Sequence, residues 1–198
     1  AGFGSVLVND QIHVERQFSG VFQAEEQMRL QATANPGFEF EAWKTLSNGT
    51  TILVPLGAEW AYRDVRNAPD SNWISADFDD SSWPRGRAQL GYGDGDEVTT
   101  LGYGGDGSNK NITYWFRHKF TVENVTDIAA LNLRLLRDDG AIVFLNGIEV
   151  LRSNMPEGMI TADTRSASVT SNENDFRDYS LPIESLKTGE NIMTVEVH

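Results

Sequence analysis

The 198-residue chain carries 29 acidic side chains, five tryptophans and five tyrosines, and these are the residues with chemistry to offer. Paired acids hold hard cations or act on a glycosidic bond, and flat rings stack on the C–H faces of a sugar. Three places gather the acids. Asp138-Asp139 stands where one alternating apolar run ends and the next begins; Asp94, Asp96, Glu97 and Asp106 share a Gly-rich stretch; Asp77, Asp79 and Asp80 lie between Trp73 and Trp83. Adjacent carboxylates repel unless a cation, an arginine or water compensates, and loop oxygens suit Ca²⁺, which takes about six to eight of them. Asp138, Asp139, Asp94, Asp96 and Asp106 are therefore the candidate ligands of a calcium ion. The plainer alternative makes Asp139-Gly140 a turn, with Asp138 paired to Arg117 or Arg137. The Asp94–Asp106 stretch lacks EF-hand spacing and reads equally well as a solvated loop, and the third group reads as packing.

For a sugar-binding surface the candidates are Trp73, Trp83, Tyr92, Tyr103 and Trp115, with Arg117 beside the last. Strand alternation puts Trp115 opposite Phe116 and Phe120. It is either a stacking platform or the cover of a second layer. Tyr92 and Tyr103 lie in Gly-rich loops, where exposure and function commonly coincide. No catalytic residue is named. Only three histidines exist, His118 falls on the apolar Tyr114 and Phe120 face, and no nucleophile elbow, zinc-helix motif, P-loop or dinucleotide fingerprint appears.

Sixteen basic against 29 acidic residues leave a net charge of −13, which repels phosphate backbones and anionic headgroups. Nucleic acid and membrane insertion are thus excluded as expectations. Apolar runs such as Ala141–Leu145 fall far short of the roughly 20 residues that cross a bilayer. With no cysteine there is no disulfide, thiolate metal site or Cys nucleophile. A 39% hydrophobic content with ten Phe is enough for a packed core.

The elements that must position these residues read as all-β. Alternating runs predict strands at Ser5–Val8, Ile12–Arg16, Met28–Ala34 and Phe38–Trp43, then at Thr113–Val122, Leu131–Leu135, Ala141–Leu145, Ile148–Leu151 and Asn191–Val197. Asn146-Gly147 is a strong hairpin signal. Pro55 and Gly57 interrupt the pattern and suggest domains at 1–56 and 57–198. Six acids and three bases precede Gly57, against 23 and 13 after, so the larger part carries most of the acidity.

The run Gln27–Trp43, with Asn35-Pro36-Gly37 between two alternating stretches and Trp43 at its end, resembles the divergent B-repeat of internalin-type bacterial surface proteins. That resemblance implies a small extracellular β unit, whose opening strand is expected to be cut short at Ala1. Further on, Trp73…Phe78-Asp79-Asp80-Ser81-Ser82-Trp83, Gly91-Tyr92-Gly93, Thr113–Arg117, Asp138–Gly147 and Asn191–His198 follow in an order similar to the galactose-binding-like jelly roll. Such sandwiches accompany β-galactosidases and other secreted polysaccharide-active or surface proteins. Asp138-Asp139-Gly140 also resembles a stretch of PA14-type adhesin domains, whose paired aspartates hold a calcium ion that touches a sugar.

These readings together suggest a non-catalytic, extracellular or cell-surface carbohydrate-binding module of a larger protein, calcium-assisted, with a polysaccharide or glycan and neighbouring domains as its partners. Two alternatives stand beside it. One is a structural or adhesive spacer without a soluble ligand, and the other is a fragment of a polysaccharide-active enzyme.

Overall fold

A computed structural model describes residues 4–8, 11–13, 30–34, 50–93, 95–170 and 175–198. The chain is all-β, with two short 3₁₀ turns and no α-helix among the described residues. It divides into two compact units, Ala1–Thr45 and Leu46–His198. The sequence-based boundary at 56/57 lies further along the chain than this division. Leu53 and Val54 explain the difference, because both pack against the core of the larger unit.

In the smaller unit β1 (Gly4–Val8) pairs antiparallel with β2 (Gln11–His13) and with β3 (Leu30–Ala34), giving the order β2-β1-β3. In the backbone register Val6 pairs with His13 of β2 and Ala32 of β3. The strand expected at Phe38–Trp43, and with it most of the B-repeat-like signature, lies outside the described residues.

The larger unit is built on β4 (Glu59–Arg63), β5 (Arg85–Arg87), β6 (Leu90–Gly91), β7 (Thr99–Thr100), β8 (Tyr114–Val122), β9 (Leu131–Leu135), β10 (Ala141–Leu145), β11 (Ile148–Ser153), β12 (Arg177–Leu181) and β13 (Gly189–Val197). Six of these strands form an antiparallel sheet in the order β11-β10-β13-β8-β4-β5. β9 pairs with β12, and β6 runs parallel to β7. The hairpin between β10 and β11 turns at Asn146-Gly147, where φ is +53° and +84°, the left-handed pair that a two-residue hairpin requires. Asn146 adds a tether, donating through Nδ2 to the Oδ1 of fully buried Asn191 at 2.8 Å. Gly140, ahead of β10, has no room for a side chain: a Cβ there would lie 2.8 Å from the Asn154 carbonyl oxygen.

Alternation along β8 separates two cores. Tyr114, Phe116, Phe120 and Val122 join Val143, Leu145, Met193 and Val195 on one face, and Leu131, Leu133 and Leu135 of β9 pack against them. On the other face Trp115 joins Ala61, Trp73 and Trp83, with Phe78 and Phe144 alongside. Trp73 meets Phe144 edge-on at 5.8 Å and Phe78 meets Trp83 at 5.7 Å, geometries that aromatic quadrupoles favour. The second core is closed by the turn-rich segment at 64–84.

Arg117 holds that segment down. It is 1% exposed. Its guanidinium pairs with Asp80 at 2.9 Å and donates to the carbonyls of Trp73, Ser75 and Phe78, with the Phe78 ring 4.9 Å away. Asp80 also receives Arg85 at 3.0 Å. The expected partnership of Arg117 with Asp138 is thus corrected: the buried cation takes the acid of the segment folded over it.

Removing one partner of a buried pair strands the other charge, whereas an exposed pair is screened by water. Arg117→Leu is therefore expected to cost about 3–5 kcal/mol of unfolding free energy. Arg85→Leu, on the half-exposed side of the same carboxylate, should cost no more than about 1 kcal/mol. Denaturant unfolding of the two variants checks this, and equal losses contradict it.

Candidate functional site

Between the inner face of the six-stranded sheet and the strands opposite lies a cleft of about 810 Å³. Its floor is apolar, from Phe116 on β8, Val143 on β10 and Met193 and Val195 on β13; Leu133 and Leu135 of β9 form one wall, and Leu90 and Tyr92 another. Charged groups ring this apolar interior: Asp96, Glu97 and Lys110 on the loops, Arg134, Arg137 and Asp138 on β9 and just after it. Small-ligand sites are typically concave, mostly apolar and about 300–1,000 Å³, with a few polar groups that fix orientation, and the cleft has that form.

Tyr92 and Tyr103 come together beside it, their rings 5.5 Å apart and inclined at 53°. The Lys110 ammonium sits over both, 4.7 Å from the Tyr92 centroid and 5.7 Å from that of Tyr103, a distance at which the ring quadrupoles attract a cation. Tyr103 is 40% exposed. Tyr92 is half-buried and continues inward to Tyr114, 5.9 Å away. Burial pushes the Tyr114 phenol well above its ordinary value of 10.0, and the neighbouring Tyr92 hydroxyl pushes the same way.

The structure distributes the expected site residues unevenly. Tyr92 and Tyr103 meet at the cleft. Trp73, Trp83, Trp115 and Arg117 do not reach solvent, at 8%, 8%, 2% and 1% exposure, and as stacking surfaces they are corrected. Their rings are spent on the second core, and the guanidinium of Arg117 on the segment that covers it. Asp138 is exposed and lines the cleft. Asp139 is half-buried, and its Oδ1 accepts the Thr170 N–H at 2.5 Å. The Asp139 carbonyl accepts from Arg137, from Asn154 Nδ2 at 3.1 Å and from Thr170 Oγ1 at 3.0 Å. Asp96 and Asp106 are exposed, and Asp106 Oδ1 accepts the Ser108 N–H at 2.9 Å in a local turn. Asp94 lies outside the described residues.

Calcium needs about six to eight oxygens free to turn toward it. Among the described residues no three His, Asp or Glu side chains gather to hold a metal, and the oxygens of Asp139 named above are already accepting from protein donors. His118 likewise has a structural partner: its Nδ1 lies 2.8 Å from the Glu59 carbonyl oxygen, and its ring packs on Trp60 at 5.0 Å.

Sequence reasoning did not name Lys110, and it named Tyr114 only as a residue of the apolar face and Arg137 only as a partner for Asp138. Tyr114 and Arg137 carried a legible signal only as positions on or next to alternating strands, and Lys110 carried none.

No protein-family model matches the chain, and no curated protein matches it either. Solved structures similar to it include a β-glucuronidase from glycoside hydrolase family 2, at 18% identity over 71% of this chain and 13% of that one, TM-score 0.46. A Bifidobacterium dentium β-glucuronidase complexed with coumarin-3-O-glucuronide aligns at 18% identity over 76% of this chain and 20% of its own, TM-score 0.45. A β-glycosidase from Bacteroides vulgatus aligns at 16% identity over 74% and 17%, TM-score 0.46. The chain therefore spans less than a quarter of the length of these proteins. At such identities and scores the likeness carries no assignment of activity.

The raised Tyr114 phenol has a consequence for stability. Above pH 10 the unfolded chain releases a proton that the folded chain keeps, so folding loses stability as pH rises. The contribution is intact below pH 10. The denaturant midpoint should fall between pH 10 and 12, and Tyr114→Phe should flatten that fall; an equal fall in the variant contradicts the burial of this phenol.

Proposed function

We propose that the chain is a non-catalytic carbohydrate-binding module of a larger extracellular or cell-surface protein, with a galactose-binding-like jelly roll as its larger unit and a B-repeat-like unit before it. The observation that carries the reading is the cleft. An apolar floor, tyrosines at the side and charged groups above it are what a sugar needs: one ring to stack on, and fixed polar atoms for its hydroxyls. The site lies at the Tyr92 and Tyr103 side of the sandwich, away from Trp73, Trp83 and Trp115.

One observation favours the spacer reading instead. With Trp73, Trp83 and Trp115 all buried, three of the five rings proposed for recognition serve the fold. The two readings part on a single experiment, calorimetric titration of the full chain with a panel of neutral and acidic oligosaccharides, run with and without a chelator. Binding is expected, with Tyr103→Ala weakening it roughly tenfold, the loss of about 1.4 kcal/mol that one stacked ring supplies. Tyr92→Ala should do the same. Silence across the panel supports the spacer, loss of binding in chelator returns the acidic loops to the site, and hydrolysis products in the same incubations place catalysis on this chain.

A further inference from the structure

The glycine-rich loop that follows β7 carries Tyr103 and Lys110 to the cleft, and both of its ends hang on one residue. Asp64, half-buried just after β4, accepts the Gly102 N–H on its carboxylate Oδ2 at 2.7 Å and Asn111 Nδ2 on its main-chain carbonyl at 2.7 Å. Gly102 precedes Tyr103 and Asn111 follows Lys110, so each tie sits one residue from a side chain at the cleft. The two ends are also joined to each other, since the Asn111 N–H donates to the Tyr103 carbonyl at 3.0 Å. Close approach needs the glycines. A Cβ on Gly102 would lie 3.0 Å from Asp64 Oδ2, and one on Gly104, whose φ is +95°, would lie 2.8 Å from Asn111 Oδ1. Arg66, two residues beyond Asp64, adds a third tie by donating to Asn109 Oδ1 at 2.5 Å.

We propose that Asp64 is a positioning residue of the site: without touching the ligand, it holds the 102–111 loop so that the Tyr103 ring and the Lys110 ammonium stand beside Tyr92 before any ligand arrives. The inference rests on the binding reading above and adds to it a residue that acts through the loop. A stretch with glycine at 102, 104, 105 and 107 has wide backbone freedom, and fixing it costs conformational entropy. Where folding has already met that cost, binding does not, and affinity rises without a new contact. The arrangement at the cleft is what such fixing produces, with Lys110 Nζ 4.7 Å from the Tyr92 centroid and the two tyrosine centroids 5.5 Å apart. Asp64 directly follows β4, a strand of the six-stranded sheet, so the loop is referred to the scaffold and not to another loop. Its two ties are separable. The one to Gly102 uses the side chain, and the one to Asn111 uses the main chain and survives a substitution.

Two measurements on the full chain test the proposal, the first of them without ligand. In proton NMR the Lys110 methylenes nearest the ammonium, held over the Tyr92 and Tyr103 rings, should resonate upfield of an exposed lysine. Asp64→Ala should abolish that shift, and Asp64→Asn, which keeps an oxygen for the Gly102 N–H, should preserve it. The second measurement is calorimetric titration with cellotetraose, galactotetraose and trigalacturonate. Asp64→Ala should weaken whichever of these the unaltered chain binds by at least about fivefold, the scale of ordering one or two side chains on binding, with Asp64→Asn within twofold. A role in stability alone would lower the thermal midpoint and leave both the shift and the affinity of the folded variant in place. Where Asp64→Ala fails to fold, Gly102→Ala, whose Cβ crowds the same carboxylate, carries the same expectations. A retained Lys110 shift overturns the inference, as does undiminished affinity in the folded variant, and either result leaves the module reading intact. Binding of none of the three saccharides by the unaltered chain overturns both.

Discussion

Arg117 is a cation placed on a strand in the middle of a sheet, and the rest of the larger unit is arranged around keeping it paired. Left bare under the 64–84 segment it would carry the penalty of an isolated buried charge. Asp80 at 2.9 Å removes that penalty, and three carbonyls of the same segment take the remaining donors. The pairing therefore fixes a stretch with little regular structure of its own. Trp73, Trp83 and Trp115 then interlock beneath it.

This closure decides which surface remains for recognition. One face of the six-stranded sheet is sealed by the segment that Arg117 holds. The opposite face is shared with β9 and the strands around it, and there the layers leave the cleft open. The two buried arginines mark the difference. On the sealed side Arg117 has its acid; on the open side Arg137 donates to Ser153, Thr170 and the Asp139 carbonyl. Lys110 adds a second charge there, resting on two tyrosines. An apolar floor ringed by acids and bases alike is a concave surface of the kind small ligands take, set by side chains on the ends of strands and on the loops between them.

Much of the fold was legible because period-two alternation survives in the described strands. β8, β9, β10 and β13 follow the expected runs to within a residue or two, and Asn146-Gly147 forms the hairpin that its left-handed backbone preference dictates. The site was less legible. Alternation tells which residues share a face but not what covers it, so Trp115 was correctly placed opposite Phe116 while its cover stayed open. That cover comes from residues some forty positions earlier in the chain, and their tie to Arg117 is a long-range contact that no local pattern encodes. The partners of the acid-rich strings were illegible for a related reason. Asp139 resembles a metal ligand by sequence, yet its Oδ1 is held by the Thr170 N–H, supplied from 31 residues away. Of the two loop tyrosines expected to be exposed, Tyr103 is 40% exposed and Tyr92 is half-buried.

Hydrogen–deuterium exchange of the full chain, with and without the oligosaccharide it binds most tightly, tests most directly the claim that recognition belongs to the cleft and not to the tryptophan face. Protection confined to residues 88–103 and 131–139, with 64–84 unchanged, is the expected result. Protection concentrated at 64–84 would contradict it.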